Sequence, residues 1–353
     1  MRERMLAVLQ GREHDRVPFA QHDNTAAPNE EIWSALGRGN MGILRWTAVH
    51  RFAHPHCRFV SEEFTWRGFR GERRILYTPA GQLTEEKLYE PIHGGPSIKK
   101  HFIQEPTDYR IFLSYLQDII VLEDLERYAR DCREVGEDGL PIVAVERTPF
   151  QQLWIQWVAL EDLCTHLVEC PDQVAECIHQ LVDIQRRILA IVLKVHSQVP
   201  IPFINFPDNI TAPAIGPRYF RQYCLPLYQE AVNMLAEKGI LVQVHMDGDL
   251  KPLWEAIGES RIGGIDSLTP PPNNDTSAAQ AHTLWPWMRL WVNYPSSVHL
   301  LGPEEVYQQA HRILAEAGHT GLLQIQISEN IPPGVWRQSY PQIVRAIEEF
   351  GAP

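Results

Sequence analysis

Along the 353-residue chain, short apolar runs rich in β-branched residues alternate with longer stretches whose apolar residues recur every three or four positions. The first pattern suits buried strands and the second amphipathic helices, so their alternation predicts strand–helix units around a parallel sheet. Eight strands are expected: 16–22 (RVPFAQH), 58–64 (RFVSEEF), 141–146 (PIVAVE), 201–206 (IPFINF), 240–245 (ILVQVH), 262–268 (IGGIDSL), 288–293 (MRLWVN) and 322–327 (LLQIQI). Helical patterns fill 171–197, 217–238 and 303–317, the last two opening with Gly-Pro, which suits proline in a first helical turn. Eight strands, most followed by a helix, predict an α/β chain folded as a (β/α)8 TIM barrel, with a doubly wound open sheet as the alternative. Residues 66–90 break the alternation; their period-two character and turn residues predict an inserted antiparallel hairpin. No repeat, low-complexity tract or linker divides the sequence, so one domain over 1–353 with extra N-terminal helices is expected.

Composition narrows the partners. A formal charge of −12 argues against nucleic acid or an anionic membrane, because phosphate binding needs concentrated Lys and Arg. A small molecule or another protein is expected instead. The six cysteines include no CxxC pair, which suits a reducing cytoplasm. The first residues lack the uninterrupted apolar core of a signal peptide, and no stretch approaches the roughly 20 apolar residues of a membrane span.

In a barrel, reactive residues collect where strands end. Those positions carry His22, Asp23 and Asn24; Glu146 and Arg147; Asp208 and Asn209; His245 and Asp247; Asn293; and Gln326, Ser328, Glu329 and Asn330. For Asp23, Asn24, Asn209 and Asp249 a turn or helix-cap role is at least as good a reading. His245 and Asp247 share parity, so both can face the barrel mouth. Glu146 follows the apolar run PIVAV, where a carboxylate needs a partner, and a pocket role is slightly favoured.

Several segments together resemble the uroporphyrinogen decarboxylase superfamily: GREHDRVPFA, YTPAGQLTEE with IKKHFIQEPTDYRIF, FINFPDNITAPAIGPRYFRQYCLPLYQEAVNMLAEKG, VQVHMDGDLKPLWEAI and ISENIPPGVWRQSYPQIVRAIEEFG. That superfamily of (β/α)8 barrels includes the decarboxylase and zinc-dependent, corrinoid-linked methyltransferases. The stretch FAQHDNTAAPNEEIW lacks the arginines with which the true decarboxylases grip a tetrapyrrole's carboxylates, so that substrate is not expected. The thiol-methylating relatives hold zinc with a histidine and two cysteines. Residue by residue, the resemblance places His245 at the histidine, Asp247 at the first cysteine and Glu329 at the second, with Ser328 as the alternative to Glu329.

The resemblance thus implies a His245, Asp247, Glu329 site for Zn2+, or for a less thiophilic ion such as iron or manganese. An ion held by carboxylates and imidazole is a stronger Lewis acid than one held by thiolates, which would suit cleavage of an ether methyl. The expected function is therefore methyl transfer from a small O-methylated compound, such as a methoxyarene, to a corrinoid supplied by a carrier protein. In that reading Asp208 and Glu146 are catalytic, with Asp208 contacting substrate, orienting His245 or only capping a helix. His22, Asn209, Asn293 and Gln326 bind substrate, and Trp285, Trp287, Trp291, Tyr294 and Trp336 form an aromatic wall or simply barrel core. Carrier docking is expected on loops around 22–57 and 269–287, and a homodimer is compatible with the resemblance. Two alternatives stand: a metal-free lyase or decarboxylase acting on a smaller acid through His245–Asp247 or Asp208–Glu146, and a non-catalytic binding paralogue.

Overall fold

A computed structural model describes residues 1–89 and 96–353. Fourteen strands appear among them: β1 Phe19–His22, β2 Gly42–Thr47, β3 His50–Ala53, β4 Arg58–Trp66, β5 Phe69–Thr78, β6 Gly81–Tyr89, β7 Pro96–Lys100, β8 Ile120–Glu123, β9 Gly139–Ala144, β10 Phe203–Phe206, β11 Leu241–His245, β12 Gly264–Leu268, β13 Arg289–Asn293 and β14 Leu323–Ile327. Eight of these close a parallel barrel in the order β1-β14-β13-β12-β11-β10-β9-β2, which makes the chain a (β/α)8 barrel.

The chain divides into two compact units. The first, Met1–Val49, Asp124–Val145 and Val192–Pro353, contains the whole barrel. Its floor is apolar: Ala20, Leu44, Leu140, Ile142, Phe203 and Trp291 form one buried cluster with Met5 and Leu9 of the helix Arg2–Gln10. That helix packs where the strands begin, since a Cβ on Gly42, the first residue of β2, would lie 3.1 Å from Met5 Sδ. Arg289, the first residue of β13, donates to the carbonyl of Leu9 at 2.8 Å. With the amino-terminal end plugged, the carboxyl-terminal end is left for chemistry.

The second unit, His50–Glu123 and Glu146–Ile191, holds the two-stranded sheet β3-β8 and the four-stranded antiparallel sheet β4-β5-β6-β7. The expected hairpin is β5 and β6, although residue 90, its last position, lies outside the described residues.

One strand assignment is corrected. RFVSEEF lies in β4 and pairs antiparallel with β5, and the second barrel strand is instead GILRWT, Gly42–Thr47. Its Arg45 and Trp46 disguise it: Arg45 pairs with Asp23 at 2.6 Å and with Glu134 at 2.7 Å, so the charge is accommodated at the strand's carboxyl half. The segment 22–57 is accordingly no single loop, because it includes a helix, Asn29–Leu36, and β2. The helical pattern at 217–238 is broken into Ala212–Tyr219, a π turn Phe220–Cys224 and Leu225–Ala236. Among the described residues no helix is long and apolar enough to cross a membrane.

Close strand packing gives a direct test. A Cβ on Gly139 would sit 1.8 Å from the carbonyl oxygen of Ile43 on neighbouring β2, with backbone on both sides unable to yield. Gly139→Ala is expected to lower unfolding free energy by about 3 kcal/mol, the upper end for overpacking. Gly39→Ala, where nothing lies within 4 Å, should change it by less than about 0.5 kcal/mol. Denaturant unfolding of the two variants checks both.

Candidate functional site

His245 ends β11, and its register partner on β12 is Asp266. Register partners in a parallel pair share a face, and residues two apart on a strand do too. Gln243 and His245 therefore line the same side as Gly264 and Asp266. Nδ1 of His245 lies 2.8 Å from Oδ2 of Asp266, and Nε2 lies 3.5 Å from Oδ2 of Asp247. The turn that presents Asp247 depends on Gly248, where a Cβ would fall 2.2 Å from that of Thr211.

Burial disfavours a charged imidazole, but hydrogen bonds to Asp247 and then Asp266, with their charges, outweigh it and push the His245 pKa up to about 10. Burial likewise opposes ionisation of Asp266, which is fully buried, yet His245 overcomes it and holds that carboxyl below its ordinary value. The outcome is a carboxylate–imidazolium–carboxylate row. Gln326 Nε2 donates to the other oxygen of Asp266 at 2.7 Å and to Ser267 Oγ at 3.1 Å. Ser267 takes φ 64° at a register irregularity in β12, a left-handed conformation costly for a non-glycine and typical of positions held for function.

His22, at the end of β1, is the neutral counterpart. Burial drives its pKa down to about 4, against the pull of Asp266 and with the push of His245. Nδ1 lies 3.4 Å from Trp46 Nε1 and accepts its hydrogen, which leaves the imidazole proton on Nε2. That nitrogen is buried and has no partner among the described residues, so it can donate to a ligand.

The other expected residues are placed as follows. Asn209, at φ 57°, reaches Asp247 Oδ2 at 3.4 Å. Asp208 is fully buried and accepts a hydrogen bond from Tyr228. The role of orienting His245 through Nδ1 belongs to Asp266. Asn293 accepts from the Ser328 backbone N–H at 3.0 Å and donates to Thr269 Oγ1 at 3.2 Å, so it braces the rim. Glu146 belongs to the second unit, where it takes φ 75° and its Oε1 lies 3.4 Å from His50 Nε2. Asp249 does not cap the following helical turn; Asp275 accepts from the Leu250 and Lys251 N–H groups, and Asp249 holds Asp275. Trp285, Trp291, Tyr294 and Trp336 are buried as core, and only Trp287 is exposed.

The expected metal ligands come together only in part. His245 and Asp247 face each other, but Glu329 accepts a hydrogen bond from Ser296. Among the described residues no group of three or more His, Cys, Asp or Glu side chains is arranged to hold a metal ion. His245, Asp247 and Glu329 therefore do not form a three-donor centre.

The profile of the uroporphyrinogen decarboxylase (URO-D) family matches residues 89–350. The chain belongs to this family. It is similar to a methyltransferase from Methanosarcina mazei, at 13% identity with a TM-score of 0.57, over 98% of each chain. It is also similar to a B12-independent methionine synthase from Shewanella sp. W3-18-1 in complex with selenomethionine, at 13% identity with a TM-score of 0.45, over 65% of this chain and 68% of that one. At 13% identity the likeness to the Methanosarcina mazei protein is one of fold. No curated protein sequence matches the chain significantly.

Two measurements follow from the row. Asp266→Asn removes the fully buried one of the two counter-charges of His245 and is expected to cost about 3 kcal/mol at pH 7. Asp247→Asn, at a side chain 26% exposed and a contact of 3.5 Å, should cost less than about 1 kcal/mol. His22 adds a pH dependence of known sign. Its folded pKa lies below the ordinary value of 6.5, so stability falls as pH drops from about 6.5 to about 4. His22→Gln should flatten that acid limb in urea titrations, and an unchanged limb would contradict the assignment.

Proposed function

We propose that the chain is an enzyme that takes the methyl group of a small O-methylated compound and passes it to the corrinoid of a separate carrier protein. The observation that carries this reading is the Asp266–His245–Asp247 row at the carboxyl end of the barrel, buried at Asp266 and reaching solvent at Asp247. The methyltransferase neighbour from Methanosarcina mazei supports the group transferred, and the absence of arginine from FAQHDNTAAPNEEIW argues against a polycarboxylate tetrapyrrole.

The corrinoid, when its carrier delivers it, supplies the nucleophile for the methyl carbon. As the carbon–oxygen bond breaks, the departing oxygen needs a proton. The imidazolium of His245 holds one on Nε2, whose contact with Asp247 at 3.5 Å is long enough for a substrate oxygen to replace. Asp266 keeps the ring oriented through Nδ1. Neutral His22 offers its free Nε2–H as a hydrogen bond to the same substrate. Asp247, partly exposed, is placed to return a proton from solvent to His245. No step depends on a metal.

A second reading rests on the same imidazolium: it would protonate the carbanion left when a smaller carboxylic acid loses carbon dioxide, a reaction of the kind for which the family is named. One assay separates the two. Purified protein is incubated with methoxyarenes and reduced corrinoid while the absorbance of methylated corrinoid is followed, and in parallel with small acids while carbon dioxide is measured. Methylated corrinoid should form, with His245→Gln slowing the reaction by roughly 10²–10⁴-fold as for loss of a general acid. Carbon dioxide release without methyl transfer would favour the second reading, and neither product would sink both.

A further inference from the structure

Beneath the row, the barrel interior turns polar in an unusual way. Gln243 stands two residues before His245 on the same face of β11, and Asn205 is its register partner on β10. Gln324 stands two residues before Gln326 on β14, and Trp291 of β13 is its register partner. All four residues have no exposed surface. Among the described residues, six of their polar atoms have no hydrogen-bond partner: both amide atoms of Asn205, both of Gln243, Oε1 of Gln324 and Nε1 of Trp291. Buried polar atoms are nearly always paired, and leaving six unpaired on the inward face of one barrel would be strongly destabilising.

We propose that this interior is a binding site for ordered water molecules, held by Asn205, Gln243, Gln324 and Trp291. The set offers three carbonyl oxygens and three nitrogens that donate. A cation would confront the N–H groups, and an anion would confront the oxygens. Water both donates and accepts, and exchanging the oxygen and nitrogen of Asn205 or Gln243 leaves the balance unchanged. With about three bonds per buried water, six atoms call for about two molecules. Space is provided on β12 by Gly264, whose missing Cβ would approach Gln243 Nε2 to 3.0 Å.

The waters have a consequence for the row above them. Gln324 Nε2 donates to Gln326 Oε1 at 3.3 Å, and Gln326 Nε2 donates to Asp266. The Asp266 carboxylate can only accept, so it fixes the sense of Gln326 and through it that of Gln324, whose Oε1 is left to accept from water. Were both reversed, an amide oxygen would face the Asp266 carboxylate. The water site thus completes the hydrogen-bond chain that ends on Asp266, by occupying the Gln324 Oε1 at its far end, whatever reaction the enzyme performs.

Water-oxygen magnetic relaxation dispersion on the whole chain counts waters with long residence times. The wild type should show about two more of them than the Asn205→Leu, Gln243→Met double variant, whose side chains have similar volume and no amide. Should that variant not fold, Gln324→Met and a high-resolution crystal structure of the wild type make the same test. In the crystal structure, water density against all four residues is expected, with Gln326 Nε2 facing Asp266. Equal water counts in wild type and variant would overturn the proposal. So would a crystal structure in which the Asn205 and Gln243 amides bond directly to each other with no water between them.

Discussion

The contact between Asp266 and His245 is the constraint around which the carboxyl end of the barrel is arranged. A fully buried carboxylate is tolerable only with a counter-charge and with its remaining lone pairs occupied. His245 supplies the first at 2.8 Å, and Gln326 supplies part of the second. Parallel pairing of β11 with β12 makes the contact a matter of register, because His245 and Asp266 are Cα partners. A slip of β11 by one residue would turn His245 out of the barrel and leave Asp266 facing inward without it. The strained backbone at Ser267 and the side chain of Gln326 then serve one purpose, holding a charge where water cannot solvate it.

The same barrel shows a division of labour along its axis. Its amino-terminal part is a hydrocarbon floor sealed by Met5 and Leu9, while the side chains nearer the strand ends are amides, imidazoles and acids. The floor stabilises the fold and allows the upper half to carry groups that by themselves favour water. His22 and His245 show how far environment decides behaviour: both are shielded imidazoles, yet the one with two carboxylates is a cation and the one beside an indole is neutral.

The barrel is legible in the sequence because apolar β-branched runs between amphipathic helices have few other solutions. Periodicity does not say which sheet a strand joins, however, and RFVSEEF meets the pattern of a strand without belonging to the barrel. GILRWT escapes notice because Arg45 interrupts its apolar pattern, and only the acids at Asp23 and Glu134, far apart in sequence, make that charge tolerable. At the site, His245 and Asp247 are visible as polar residues at a strand end. Asp266 is passed over by that criterion because it lies within β12, although an acid in the apolar run IGGIDSL is itself a signal of a buried partner. The placement of Glu329 against Ser296 depends on loop geometry, which local pattern does not encode.

At the centre of this account stands a His245 that is charged because two acids flank it. Site-resolved nitrogen NMR of its imidazole, on protein labelled at histidine and followed from pH 6 to 11, reads that charge directly. Both ring nitrogens are expected to keep the shifts of protonated imidazolium until the pH nears about 10. Deprotonation near 6.5, the ordinary value for histidine, would contradict the account.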